Sequence, residues 1–134
     1  MKLYVAGKYT DRERVSEIMR ILEKQGHEIV FDWTKSSNND FREVALEDLR
    51  AIKEADAFYL VYSNELQGAW TELGAALAYG LPCYVTYEAI HSHNVFLNHP
   101  LIRPAYEVTA LPFNQKAVEK YSAIEMEVRP NERK

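Results

Sequence analysis

Apolar residues in this chain fall into two arrangements, short continuous runs and one-sided helical repeats. Leu3-Tyr4-Val5-Ala6 is a run of the first kind and closes at Gly7, giving a strand over Lys2 to Ala6. Val15, Ile18, Met19 and Leu22 then recur at helical spacing, which predicts a helix over about Asp11 to Gln25 with one core face. Thr10 and Glu13 stand where a capping box would start it, and Gly26 where it would stop. His27 to Phe31 reads as a second strand. Asn39 or Asp40 can cap the next helix, over about Phe41 to Glu54, in which Val44, Leu46, Leu49 and Ile52 are read as mostly core.

Residues 57 to 62 are apolar throughout, as expected for a strand buried on both faces. An Ala-rich helix follows within Gly68 to Gly80, ended by Gly80 with Pro82 beyond it. Pro82 to Tyr87 reads as a fourth strand, Ala105 to Thr109 as a candidate fifth, and Asn114 to Glu125 as a closing helix. Strands alternating with helices call for parallel pairing through right-handed crossovers. The expected architecture is a single-domain, three-layer α/β fold. Its sheet is mainly parallel with four to five strands, and helices cover both faces in a flavodoxin- or Rossmann-like manner. Residues 1–128 form the domain and 129–134 a solvated tail.

Composition narrows the function classes. A chain of 134 residues with 47% hydrophobic content suits one domain with one core. No apolar run approaches the roughly 20 residues that span a bilayer, and no signal-peptide pattern is read at the start, so no membrane partner and a cytoplasmic location are expected. The single cysteine, Cys83, fits a reducing compartment and reads as a buried core thiol. A net charge of −4, with basic residues scattered among acids, disfavours a nucleic-acid polymer but leaves room for a single nucleotide.

The chemistry concentrates on one charge. Glu72 is the lone ionisable carboxylate in an otherwise neutral, small-residue helix, in or near its first turn. Two readings stand side by side. An acid there is favoured by the helix dipole. The same helix also begins at the carboxyl end of a central strand, where open α/β sheets bind ligands, and its N-terminus would hold Glu72 as an anion able to act as a nucleophile. Gly68, Ala69 and Gly74 would let a substrate or another backbone approach. The turn Gly7-Lys8-Tyr9-Thr10, with Arg12 behind it, suits a phosphate or sugar, or is an ordinary strand-to-helix turn with solvated charges. Trp33 either stacks on a base or caps the core edge. Asp48 is a mid-helix acid, and Asp56 reads as a turn or capping residue. His91, His93 and His99 cluster, but nothing completes a ligand set, so neither a metal nor a cofactor is expected.

In order and spacing these segments resemble the nucleoside 2-deoxyribosyltransferase family, which also includes 2'-deoxynucleoside 5'-monophosphate N-glycosidases. The resemblance rests on Gly68 leading into Glu72-Leu73-Gly74-Ala75-Ala76, on Gly80-Leu81-Pro82, on the run from Asp48-Leu49 to Ala55-Asp56, and on Leu3 to Gly7. It implies cleavage of an N-glycosidic bond in a small-molecule nucleoside or nucleoside 5'-monophosphate. Glu72 would be the nucleophile, and Asp48 would position it or protonate the departing base. Gly7, Lys8 and Tyr9 would hold the sugar or its 5'-phosphate, and Asn94 or Asn98 would reach a neighbouring subunit's pocket. A homodimer or higher homo-oligomer is therefore expected, and the small residues around Gly74 suit close helix packing. Some members carry an Asp six residues before the Glu. Leu66 stands there in this chain, next to Asn64 and Glu65, a departure that bears on transferase activity. Leu66, with Lys8 and Arg12 near the sugar end, tilts the expectation toward a nucleotide hydrolase. The alternative is a non-catalytic nucleotide-binding module of the same fold.

Overall fold

Each apolar run pairs with another in a computed structural model that describes residues 1–86, 88–89 and 92–105. Five strands, β1 (Lys2–Ala6), β2 (Glu28–Ile29), β3 (Ala57–Leu60), β4 (Cys83–Thr86) and β5 (Ile102–Ala105), form one sheet in the order β2-β1-β3-β4-β5. Every pairing is parallel. Leu3 lies opposite Ala57 and Ala6 opposite Leu60 in the central β1–β3 ladder. Three helices, α1 (Arg12–Lys24), α2 (Phe41–Glu54) and α3 (Gly68–Ala78), connect the strands.

The strict alternation of a strand distributes these side chains between two cores. Tyr4, Ala6, Phe58, Leu60, Cys83 and Val85 face α2 and α3, where Ile52, Leu73 and Ala76 meet them. Leu3, Val5, Ala57, Tyr59 and Val61 face the other way, onto Val15, Met19 and Leu22 of α1. This segregation follows from chain direction. The connection β1–α1–β2 moves toward one sheet edge, whereas those through α2 and α3 move toward the other. Crossovers of one hand must therefore place α1 on the face opposite α2 and α3.

The helix ends obey local rules. Gly26 and Gly80 adopt positive φ, +93° and +79°. Behind each, backbone N–H groups return to the helix: His27 to Leu22 and Gly26 to Glu23, and likewise Leu81 to Ala76 and Gly80 to Leu77. Asp40 caps α2 by accepting from the Arg42 and Glu43 amides. Asp56 accepts from the Lys2 amide at 2.8 Å, in keeping with a turn role.

Several expectations need correction. The capping box at Thr10 does not form: a single 3-10 turn over Tyr9–Asp11 precedes α1, and Asp11 occupies the cap position without a side-chain bond. The second strand is only two residues long. The fifth begins upstream of the expected span, at Ile102, and includes Ala105; residues 106–109 of that span fall outside the described residues. On α2, Ile52 is buried but Leu46 and Leu49 are exposed, because at helical spacing they fall on other sides of α2 from the row that Ile52 shares with Val44 and Asp48. The closing helix, the tail and His91 fall outside the described residues. Among the described residues no helix is long and apolar enough to cross a membrane.

Candidate functional site

In the order β2-β1-β3-β4-β5 the chain leaves β1 toward one edge and leaves β3 toward the other. The carboxyl ends of β1 and β3 therefore diverge into two oppositely directed loops, and a crevice opens between them. A cavity of about 480 Å³ sits there. The turn after β1 supplies Gly7, Lys8, Tyr9 and Thr10, the segment after β2 supplies Phe31 and Trp33, and the loop after β3 supplies Glu65 and Gln67. Phe41, Val44, Glu47 and Asp48 of α2 and Gly68, Ala69 and Glu72 of α3 close the wall, with Tyr4 beneath. On α2 the residues Phe41, Val44 and Asp48 share one side at helical spacing, continued by Ile52 in the core. Of the four residues read from the sequence as core, Ile52 is in the core, Val44 lines the cavity, and Leu46 and Leu49 do neither.

Glu72 is half-buried on this wall. It is the fifth residue of α3, past the first turn, so the helix N-terminus is not what dominates its charge. Burial is, and it pushes the carboxyl up to about 7, with the Asp48 charge adding to the rise. The Tyr4 hydroxyl opposes both by donating to Glu72 Oε2. Asp48 is also raised, first by burial and then by Glu47, and Tyr4 again favours its charged form. Its Oδ1 is buried with no hydrogen-bond partner among the described residues. The Tyr4 hydroxyl itself is held far above the usual phenol range by burial and by the two carboxylates, so it remains a donor. One phenol thus stands between two half-buried acids, one of them near its midpoint at neutral pH.

Tyr4 is the site residue that sequence reading missed. A tyrosine inside an otherwise aliphatic buried run was the available signal, because a buried phenol needs a partner for its oxygen. Its ring stacks on Phe58, centroids 5.9 Å apart, which fixes the direction of the hydroxyl.

The other candidates are placed less uniformly. Gly7 lines the cavity, but a Cβ there would lie 2.6 Å from Val15 Cγ2, so close packing of α1 on β1 already demands glycine. Lys8 Nζ donates to the Asn64 carbonyl at 3.3 Å and lies 3.8 Å from Glu65 Oε2. Tyr9 is exposed on the rim, with the Arg12 guanidinium 4.7 Å from its ring centre. Arg12 does not line the cavity; it borders a shallow hollow with Asp11, Glu13 and Glu17. Trp33 fills both of its proposed positions. It packs against the two cores, and it faces the cavity while Nε1 donates to the Val5 carbonyl at 2.6 Å. That carbonyl lies beyond the end of the short β2, so the indole replaces a missing strand donor. Gly68 lines the cavity and a Cβ there would meet nothing within 4 Å. Asn94 caps a 3-10 turn over Val95–Asn98 by accepting from the Phe96 amide, and Asn98 is exposed. Neither lines this chain's cavity. Leu66 is a buried core residue, and Glu65 beside it takes φ +62° and is exposed at the cavity rim. Cys83 is buried with its thiol pushed up to about 12, as a core thiol should be.

Comparisons with known proteins bear on the fold and the family. A search of curated protein sequences returns no match. A 2-deoxyribosyltransferase from the psychrotolerant bacterium Bacillus psychrosaccharolyticus superposes with a TM-score of 0.68 at 18% identity, covering 88% of this chain and 96% of that one. A CMP N-glycosidase from Clostridium botulinum superposes with a TM-score of 0.57 at 18% identity, covering 90% of this chain and 97% of that one. At that identity the likeness is one of fold. The model of an enzyme family, nucleoside 2-deoxyribosyltransferase, matches residues 3–128, nearly the full length and every wall of the cavity, and the chain therefore belongs to the nucleoside 2-deoxyribosyltransferase family.

Proposed function

We propose that this chain cleaves the N-glycosidic bond of a nucleoside or nucleoside 5'-monophosphate, with Glu72 as the nucleophile and Asp48 as the proton source for the departing base. The observation that carries the proposal is the pair itself. Two carboxyl groups line one cavity, Glu72 balanced near neutrality at about 7 and Asp48 raised with a buried, unpartnered oxygen. Environments of this kind are what acid, base and nucleophile roles require.

In the first step a Glu72 oxygen bonds to the anomeric carbon as the carbon–nitrogen bond breaks. The bonding pair goes to the base, and the proton of Asp48 neutralises it. Charge that develops on the sugar is met by the ionised carboxylate. In the second step water, or a second base, attacks the anomeric carbon, the ionised Asp48 takes the proton it gives up, and Glu72 leaves as carboxylate, which makes the enzyme a hydrolase or a transferase. Tyr4 favours the ionised form of Glu72 and holds it in place. Gly68 keeps the start of α3 open to the sugar, and Trp33 offers a flat apolar wall for the base. Asn94 and Asn98 lie away from this cavity, so a part for them in catalysis is a part in a second copy's cavity, within a homo-oligomer.

The test is base release from a panel of nucleosides and 5'-monophosphates. Glu72→Ala is expected to abolish turnover with the fold retained, since Glu72 lies on the cavity wall and outside both hydrophobic cores. Mass spectrometry of wild-type protein quenched during turnover should find a sugar adduct on the peptide carrying Glu72. Full activity in Glu72→Ala would remove the nucleophile assignment. Light scattering of the full chain gives the subunit count.

A further inference from the structure

The cavity carries an unbalanced charge. Among the described residues lining it, Lys8 is the one cation, against four carboxylates: Glu47, Asp48, Glu65 and Glu72. Lys8 is already engaged, with its ammonium on the Asn64 carbonyl and 3.8 Å from Glu65. Arg12, the other cation near the turn after β1, lies over the Tyr9 ring and donates to the Tyr9 carbonyl at 3.4 Å, outside the cavity. The start of α1 offers an anion little either, because Asp11 occupies its cap position and pairs with Arg14. The groups acting on Glu72 agree: burial, the Tyr4 hydroxyl and the Asp48 charge, with no cation among them.

Glu65 adds a second, geometric observation. It is the one non-glycine among the described residues with positive φ. That conformation is disfavoured for a side chain with a Cβ, and here it directs a carboxylate to the rim beside Lys8. We infer that the cavity takes an uncharged nucleoside and rejects its 5'-monophosphate, with Glu65 as the specificity-determining residue that neutralises Lys8 and repels the phosphate. This narrows the glycosidase reading above and rests on it. It also reverses the expectation of a nucleotide hydrolase, which leaned on Leu66 together with Lys8 and Arg12.

A phosphate dianion would enter a space of about 480 Å³ in which Glu47, Glu65 and the partly ionised Glu72 face the single cation Lys8, with Asp48 holding its proton. Like charges several ångströms apart at a protein surface discriminate by about tenfold or more, and salt weakens the effect. A nucleoside presents only hydroxyls and a base, for which carboxylates are good acceptors.

The test measures kcat/KM for base release from each nucleoside and its 5'-monophosphate, at low and at physiological ionic strength. The same ligands are titrated calorimetrically into Glu72→Gln. Nucleosides should be favoured by about tenfold or more, with the ratio shrinking as salt rises. Glu65→Lys should raise the monophosphate relative to the nucleoside at least about fivefold. Equal or better use of the monophosphate by wild type overturns the inference, and so does a ratio that Glu65→Lys leaves unmoved. Preferential nucleoside binding without cleavage in wild type upholds the selectivity and overturns the glycosidase reading. Binding of neither ligand overturns both.

Discussion

Replacing Tyr4 by Phe removes one oxygen from the centre of the site and little else. The ring keeps its stack on Phe58 and its place in the core. What is lost is the hydroxyl that donates to Glu72 and, through the same group, favours the charged form of Asp48. A hydrogen bond to a charged group is worth about 1.5–3 kcal/mol. Tyr4 has one proton for two acids, so the lower figure applies, and it corresponds to a further rise of about one pKa unit for Glu72. From about 7, the midpoint moves to about 8. At neutral pH the ionised fraction then falls from about a half to about a tenth, a loss of about fivefold in kcat/KM. Near pH 9 wild type and variant should agree within about twofold, because Glu72 is then mostly ionised in both proteins. The assay is the pH dependence of kcat/KM for base release, read as the acid limb of the coupled pair rather than of either acid alone. An acid limb that stays in place, or a loss equally large at every pH, would refute the reasoning. The second outcome would make Tyr4 a substrate contact rather than a positioning residue.

Three further outcomes are expected. Glu72→Gln should stabilise the fold in alkaline solution: the folded carboxyl titrates near 7 against a reference of 4.5, so wild type loses stability as pH rises through that window, by about 3 kcal/mol in total, and the neutral amide does not; urea unfolding near pH 8 and near pH 4 should show the gap open at the first and closed at the second. Gly7→Ala should cost about 1–3 kcal/mol, because the new Cβ would lie 2.6 Å from Val15 Cγ2, and adding Val15→Ala should recover part of the loss measured by denaturant unfolding. Asp40→Ala should cost about 1 kcal/mol by the same measurement, since it removes the acceptor for the Arg42 and Glu43 amides at the start of α2.

Much of the fold was legible because its signals are local. Gly26 and Gly80 end helices by backbone conformation, Asp40 caps with its own side chain, and residues 57–60 are apolar because both faces of β3 are covered. The apparent core row on α2 misled for a reason that periodicity cannot see. Val44 shares a face with Ile52, but that face runs off the sheet and becomes a cavity wall, while Leu46 and Leu49 lie on other sides of the helix and are exposed. The short β2 was over-extended for a related reason. Its third neighbour on β1, the Val5 carbonyl, is satisfied by the Trp33 indole rather than by a strand amide, and no hydrophobic pattern encodes that substitution.

The site was half legible, and the missing half changes its chemistry. Glu72 stood out as one charge among small neutral residues, and its position after a central strand pointed to the crevice. The expectation that a helix N-terminus would keep it ionised required it to sit in the first turn. It sits one residue further in, where burial outweighs the dipole and raises the carboxyl instead of lowering it. An acid in that setting would be mostly neutral below pH 7 and unable to attack. The side chain that restores part of its charge comes from 68 residues away, on β1. The charge of Glu72 is therefore set by a tertiary contact rather than by its own helix. A partly ionised carboxylate held by a phenol that cannot itself lose its proton is regulated by pH across the neutral range, whereas a carboxylate stabilised by a helix dipole would be ionised throughout it. The measured acid limb decides between these two physical pictures: a midpoint near 7 assigns the charge of Glu72 to burial and Tyr4, and a midpoint in the usual carboxylate range would return it to the helix.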